Sequence, residues 1–124
     1  MSPEKVASLK SHYPQILNDI EIDVKDGWYD IVDVLCSAIQ THVDWKTRDM
    51  DPDETDACQV VFTEVKQKFG CLRIYTKNTD EAAVRGMLNF AMSYSLRVCE
   101  LCGQKGSLER EGENVAVRCK ECLK

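Results

Sequence analysis

Cys99, Cys102, Cys119 and Cys122 constrain this chain more than any other feature. They read C-x2-C-x16-C-x2-C within CELCGQKGSLEREGENVAVRCKEC. Each C-x-x-C turn presents two thiolates about one metal diameter apart, and the connector is long enough to run out and back so that the pairs meet. Four thiolates leave no open coordination position, which describes a structural site rather than a catalytic one. One structural Zn2+ is the expected cofactor, and iron in the same four-sulfur cage stays open. A disulfide framework fits poorly, because seven cysteines are an odd count and no signal peptide precedes them. Two symmetrical pairs also suit a cage better than a single redox dithiol.

The residues between the pairs agree with this. Gly103 directly follows Cys102, where a knuckle turns a backbone N–H toward sulfur and often needs positive φ. Ser107–Arg110 and Val115–Arg118 read as short strands joined by a turn at Glu111–Asn114. This is the layout of a zinc ribbon, and a bound ion there would also secure the C-terminal residues. Cys36, Cys58 and Cys71 stand singly and are expected to be small buried hydrophobes, as in a reducing cytoplasm.

Upstream, the pattern predicts an α+β fold: a small antiparallel hairpin or sheet packed by two long helices, with the C-terminal zinc-ribbon module appended. The expected division is 1–98 for the α+β domain and 99–124 for the ribbon. Ser2-Pro3-Glu4 opens a helix that should stop before Pro14. Ile20–Val24 alternates like a short strand, and Asp26-Gly27 breaks the chain. Trp28, Ile31, Val32, Leu35, Cys36, Ile39 and Val43 then step by three and four, predicting the first long helix, with Trp28 as a core anchor. Asp44–Asp56 (DWKTRDMDPDETD) reads as an exposed loop; its six acids do not match a calcium-loop spacing and no glycine supplies the turn. Gln59–Lys66 and Cys71–Thr76, around a Gly-containing turn, predict a hairpin. Asn78 and Glu81 suggest a capping box for a second long helix. Its inner face would be Val84, Met87, Leu88, Ala91, Ser95 and Val98, and it would run straight into Cys99.

Charge is unevenly spread. Residues 1–58 hold thirteen acidic and five basic side chains, 59–98 three and six, and 99–124 five of each. General attraction to nucleic acid is not expected, although a local basic patch can act alone. No apolar run is long enough for a membrane span, and no leader or lipidation motif is evident, so the expected setting is cytoplasmic.

Two stretches carry a resemblance: Asp26-Gly27-Trp28-Tyr29-Asp30-Ile31 with Leu35-Cys36 and Ile39, and Val65–Tyr75 (VKQKFGCLRIY), with the four-cysteine tail behind them. Together, over roughly residues 22–122, they resemble a group of small bacteriophage and prophage proteins. The resemblance implies a phage setting, hence the cytoplasm of a host cell, and no particular reaction.

Catalytic signatures are missing. The only histidines, His12 and His42, lie far upstream of the cysteines, whereas a metallonuclease needs a base near its metal. His42-Val43-Asp44 lacks the glutamate of the deaminase H-x-E motif, and Val98 replaces the proline before its C-x-x-C. There is no P-loop, dinucleotide fingerprint or nucleophile elbow. His42 is expected to be a surface or dipole-facing residue. A non-catalytic protein is therefore expected. The first functional expectation is a zinc-stapled module that binds or inhibits a host protein or defence system, approaching it with the acidic half. The alternative is a nucleic-acid-binding regulator using Lys66, Lys68, Phe69, Arg73, Tyr75 and Lys77, cations interleaved with aromatics. Phe69, beside Gly70, is open to a second reading as a core plug.

Overall fold

The computed structural model describes residues 1–77 and 79–123. The chain runs α1 (Pro3–His12), α2 (Pro14–Leu17), β1 (Ile22–Asp23), a 3-10 turn (Asp26–Trp28), α3 (Tyr29–Lys46), α4 (Pro52–Cys58), β2 (Val61–Lys68), β3 (Cys71–Lys77), α5 (Ala82–Ser95), β4 (Ser107–Glu111) and β5 (Asn114–Arg118). The architecture is α+β, as expected, with one three-stranded sheet in the order β1-β2-β3 and a separate two-stranded hairpin, β4-β5.

Helix α3 forms because Val32, Leu35, Cys36, Ile39 and Val43 make one buried stripe. Helix α5 answers with Val84, Leu88, Ala91 and Ser95. The two run antiparallel: Trp28 at the start of α3 reaches Val98 just past α5, and His42 near the end of α3 reaches Glu81 at the start of α5. Trp28 is fully buried, and its indole N–H donates to the Val98 carbonyl at 2.8 Å. A buried indole N–H needs such a partner, so this bond fixes the ring and the chain end it touches.

The hairpin β2–β3 has the register Val65↔Ile74, Lys66↔Arg73 and Lys68↔Cys71. Its two-residue turn, Phe69-Gly70, has φ of +55° and +82°. Positive φ at both positions suits the right-handed twist of the flanking strands. Strand β1 adds in parallel through Ile22↔Val65 and Asp23↔Lys66. Leu9, Ile16 and Leu17 of α1 and α2 are fully buried in the same core. The N-terminal ammonium donates to the Val24 carbonyl, and the Ser2 N–H donates to Asp26 Oδ1 at 2.7 Å.

Three expectations need correction. First, the stretch Asp44–Asp56 is not a loop: α3 continues to Lys46, and Pro52–Cys58 forms α4. The physical cause is a complete start signal. Asp51 caps by accepting from the Glu54 N–H at 2.9 Å, proline sits in the first turn, and Asp53 and Glu54 favour the positive helix end. Polarity left α4 exposed, since it buries nothing, but did not make it irregular. Second, α5 does not run into Cys99. It stops at Ser95, whose hydroxyl donates back to the Met92 carbonyl at 2.6 Å and accepts the Leu72 N–H at 3.0 Å. That hydroxyl joins the helix end to β3, and the chain then turns. Third, Phe69 is no core plug, being 73% exposed at the hairpin tip. The suggested capping box includes Asn78, which lies outside the described residues; Glu81 itself sits at the N-cap without a side-chain cap bond.

The cysteine-bearing hairpin is tied to the rest of the chain through backbone contacts. The Gly27 N–H donates to the Glu100 carbonyl at 2.7 Å, and the Lys25 N–H donates to the buried Glu100 carboxylate at 3.1 Å. Val117 of β5 joins the main apolar core. Gly27 is required here by space, because a Cβ would overlap the backbone of Cys99 and Glu100. Gly27→Ala is therefore expected to cost about 3 kcal/mol, since backbone rather than a movable side chain must give way. Denaturant melts should show a lower midpoint at unchanged slope; an unshifted midpoint would contradict this packing.

Candidate metal centre

Two tight turns build the site. In the first, the Gly103 N–H donates to the Cys99 carbonyl at 2.9 Å and the Cys99 N–H to the Gln104 carbonyl at 2.8 Å. Gly103 takes φ of +85°, as the knuckle expectation requires. In the second, the Leu123 N–H donates to the Cys119 carbonyl at 3.2 Å. The β4–β5 ladder, with register Ser107↔Arg118, carries Cys119 back beside the first turn. A bond from the Glu100 N–H to the Val117 carbonyl, 3.1 Å, closes the two turns on each other.

The result gathers all four sulfurs within 4.8 Å of one another, with Cys102 and Cys119 Sγ 3.5 Å apart. A tetrahedral thiolate site with metal–sulfur bonds of about 2.3 Å has sulfurs about 3.8 Å apart, so the spacing fits a single ion. Cys99 and Cys119 are buried, Cys122 half-buried and Cys102 exposed. All four are free thiols.

Local electrostatics favour thiolate at the inner positions. Burial resists ionisation of Cys99, yet the backbone N–H groups of Cys102, Cys119 and Leu101 aimed at its sulfur bring it down to about 7. Cys119 is lowered mainly by the Cys122 N–H, against burial. Cys122 is pushed up to about 12, first by its hydrogen bonds to Cys119 and Cys102. The cluster thus holds protons that a cation would displace. Chemically, this is a set of soft ligands pre-oriented by backbone donors, able to hold a metal ion.

Glu100 and Arg118 support the site and were not singled out by the sequence pattern. Glu100 is 3% exposed, and its carboxylate lies 3.9 Å from the Arg118 guanidinium. Arg118 also pairs with Glu111 at 2.9 Å. A glutamate inside C-x-x-C carries no signal by itself; only the approach of residues 25–27 reveals its use.

The other candidate residues lie elsewhere. Lys66 and Arg73 are opposite one another on β2 and β3, and strand alternation puts Lys68, Tyr75 and Lys77 on that same face. Lys66 Nζ stands 5.6 Å from the centre of the Tyr75 ring, and Lys68 Nζ 5.8 Å from that of Phe69. This face is not purely basic: Glu64 pairs with Lys66 at 3.6 Å, while Glu111 and Glu113 share a cleft with Lys68 and Phe69. His42 is not a simple surface residue. It is hydrogen-bonded to Glu81, and this contact above all, against the opposing effect of burial and with lesser help from Lys46, holds that carboxyl below its ordinary range. Cys36 and Cys71 are buried, as expected, and Cys58 is half-buried. Burial, with Asp33 nearby, pushes the Cys36 thiol up to about 12.

Comparison with protein families, with curated proteins and with solved structures finds no match. No helix among the described residues is long and apolar enough to cross a membrane.

A metal held by these thiols should be inseparable from local folding. Stripping it with a strong chelator is expected to lower the melting temperature by well over ten degrees, and Cys122→Ser to do nearly the same. Uptake of metal by stripped protein should release protons, with apparent affinity rising as pH increases through 7 because thiolates are the ligands. Metal-free material that melts like the loaded protein would refute a structural role.

Proposed function

We propose that this chain is a non-catalytic, zinc-stapled binding module that acts by contact with another protein, in a phage setting where it occupies or inhibits a host component. Four thiolates within bonding range of one ion favour zinc, with four-coordinate iron as the competing occupant. Zinc would contribute an apparent ~10–16 kcal/mol to a region that buries little apolar surface of its own. The phage setting rests on the resemblance of the Gly-Trp and Lys-Phe-Gly segments.

The observation that carries the contact reading lies at the end of α3. Trp45 is 62% exposed with the Arg48 guanidinium stacked 4.6 Å from its ring centre. Arg48 also donates to the Trp45 carbonyl at 2.6 Å, so the pair is held in place. Tryptophan and arginine are the residue types that dominate binding hot spots. Three residues beyond Arg48, Asp51 caps α4, which presents Asp53, Glu54 and Asp56 to solvent on an ordered helix. A rigid acidic surface beside an aromatic anchor suits a partner with a basic groove, and rigidity lowers the entropic cost of docking. Affinity purification from host cells is expected to recover a stoichiometric partner, with recovery reduced at least about tenfold by Trp45→Ala. Absence of any stoichiometric partner with the intact chain would sink the reading.

A second reading is favoured by one specific observation: the outward face of β2–β3 gathers Lys66, Lys68, Arg73, Tyr75 and Lys77, with Phe69 exposed at the tip. Single-stranded nucleic acid needs such cations and ring faces. Glu64, Glu111 and Glu113 oppose it. Short DNA or RNA should then bind more tightly as salt falls, and Phe69→Ala should weaken it at least about fivefold. No binding at ~50 mM salt would remove this alternative.

A further inference from the structure

The open side of the α3–α5 pair presents an apolar face to solvent. The two helices leave a groove of about 590 Å³ between them, in which Asp30 is the one charged lining residue among the described residues. Its relief comes from Val34, 66% exposed, Phe90, 73% exposed, and Tyr94, 49% exposed. Phe90 and Tyr94 are stacked, with ring centres 6.1 Å apart and planes at 13°, so they form one stiff ridge. Single exposed hydrophobes are ordinary; a continuous apolar face along two helices marks an interaction site.

Gly86 adds an independent sign. It sits inside α5, where glycine costs about 1 kcal/mol relative to alanine. A Cβ there would meet nothing within 4 Å, so no contact within this chain demands glycine. Ala38 on α3 lines the same stretch of groove. Small residues on both helices, next to a protruding ridge, leave space for the side chains of an opposing helix.

The charges select which occupant fits. Asp30 is exposed at the start of α3, and Arg97 is exposed just beyond α5. Both stand at the same end of the face, because Trp28 bonds to Val98. Between Ala82 and Arg97 there is no acidic residue, and Arg85 is also exposed. Among the described residues, Asp30, Arg85 and Arg97 enter no ion pair. One helix thus offers an anion and the other a cation at the same level. A two-fold axis parallel to the helices lays α3 of each copy along α5 of the other, and brings Asp30 opposite the other copy's Arg97 twice over. Such a contact is isologous, and the same patch serves both sides.

Size agrees with a reversible assembly. Helices of 18 and 14 residues are about 27 and 21 Å long and about 10 Å wide each, so the pair covers roughly 500 Å² per copy. The total of roughly 1,000 Å² lies at the lower bound for a specific interface. We propose that the chain forms a two-fold homodimer through α3 and α5, in exchange with monomer in the micromolar range. This goes beyond the function proposed above and does not depend on it.

Sedimentation velocity on metal-loaded protein from ~1 to ~200 µM tests it. The expected result is a shift from the 14.1 kDa chain to twice that mass. Phe90→Glu, Asp30→Arg and Arg97→Asp should each raise the dissociation constant at least about 30-fold, with circular dichroism unchanged, since all three side chains are exposed. Asp30→Arg combined with Arg97→Asp should return it to within a few-fold of the parent. A monomer at every concentration overturns the proposal and leaves the face to a foreign protein. So does a dimer that Phe90→Glu does not weaken, or a double variant no better than the single ones. Partner recovery with the Phe90→Glu chain reads the contact function separately.

Discussion

The close approach of two backbone segments, Gly27 against Cys99–Gly103, is the constraint on which the rest of the structure depends. Gly27 donates to the Glu100 carbonyl, and its own carbonyl lies where a side chain on Gly103 would press. One residue later, Trp28 fills the core and donates to Val98. The first sulfur turn is thereby attached to the start of α3 by main-chain geometry rather than by side-chain area. Glycine at both faces is what permits this distance.

From that junction the mechanical logic runs in two directions. Inward, the Trp28–Val98 bond sets the level at which α3 and α5 pack, and the Ser95 hydroxyl sets where α5 ends against β3. Outward, the same turn orients Cys99 and Cys102 toward Cys119 and Cys122, with the N–H groups of the turns supplying positive potential at the sulfurs. A cation bound there would neutralise thiolates that repel one another. It would also hold a hairpin whose own core is slight, Ala116 and Val117 being its buried apolar residues besides the cysteines. Small modules of this kind need such a staple because surface outweighs interior at their size.

The surfaces differ in chemistry. The outward face of β2–β3 mixes cations with aromatics and acids, α4 is acidic and solvated, and the open side of α3–α5 is apolar. Phe69 shows why such surfaces cannot be weighed by residue type alone. At φ of +55° a bulky aromatic is conformationally disfavoured, and Gly70 beside it is the residue such turns prefer. Strand twist forces that backbone, so the ring is thrown outward instead of filling the core.

Much of the chain was legible from local pattern. The four-sulfur cluster followed from spacing, the buried stripes of α3 and α5 from three-and-four periodicity, the first hairpin from β-branched runs around a glycine turn, and the second from the short segments and turn between the two cysteine pairs. These signals are short-range and repeat, so a sequence carries them openly. Helix α4 was legible too, in Asp51, Pro52 and Glu54, but its polarity outweighed the cap. What no local pattern held was the fit of Gly27 to Cys99, the stop of α5 at Ser95, the ties of Glu100 to Lys25 and Arg118, and the apolar groove left between two helices already supplied with inner faces. Each depends on residues tens of positions apart arriving together. That outcome is decided by packing in three dimensions, where excluded volume and hydrogen-bond satisfaction choose among arrangements that the same local preferences allow equally.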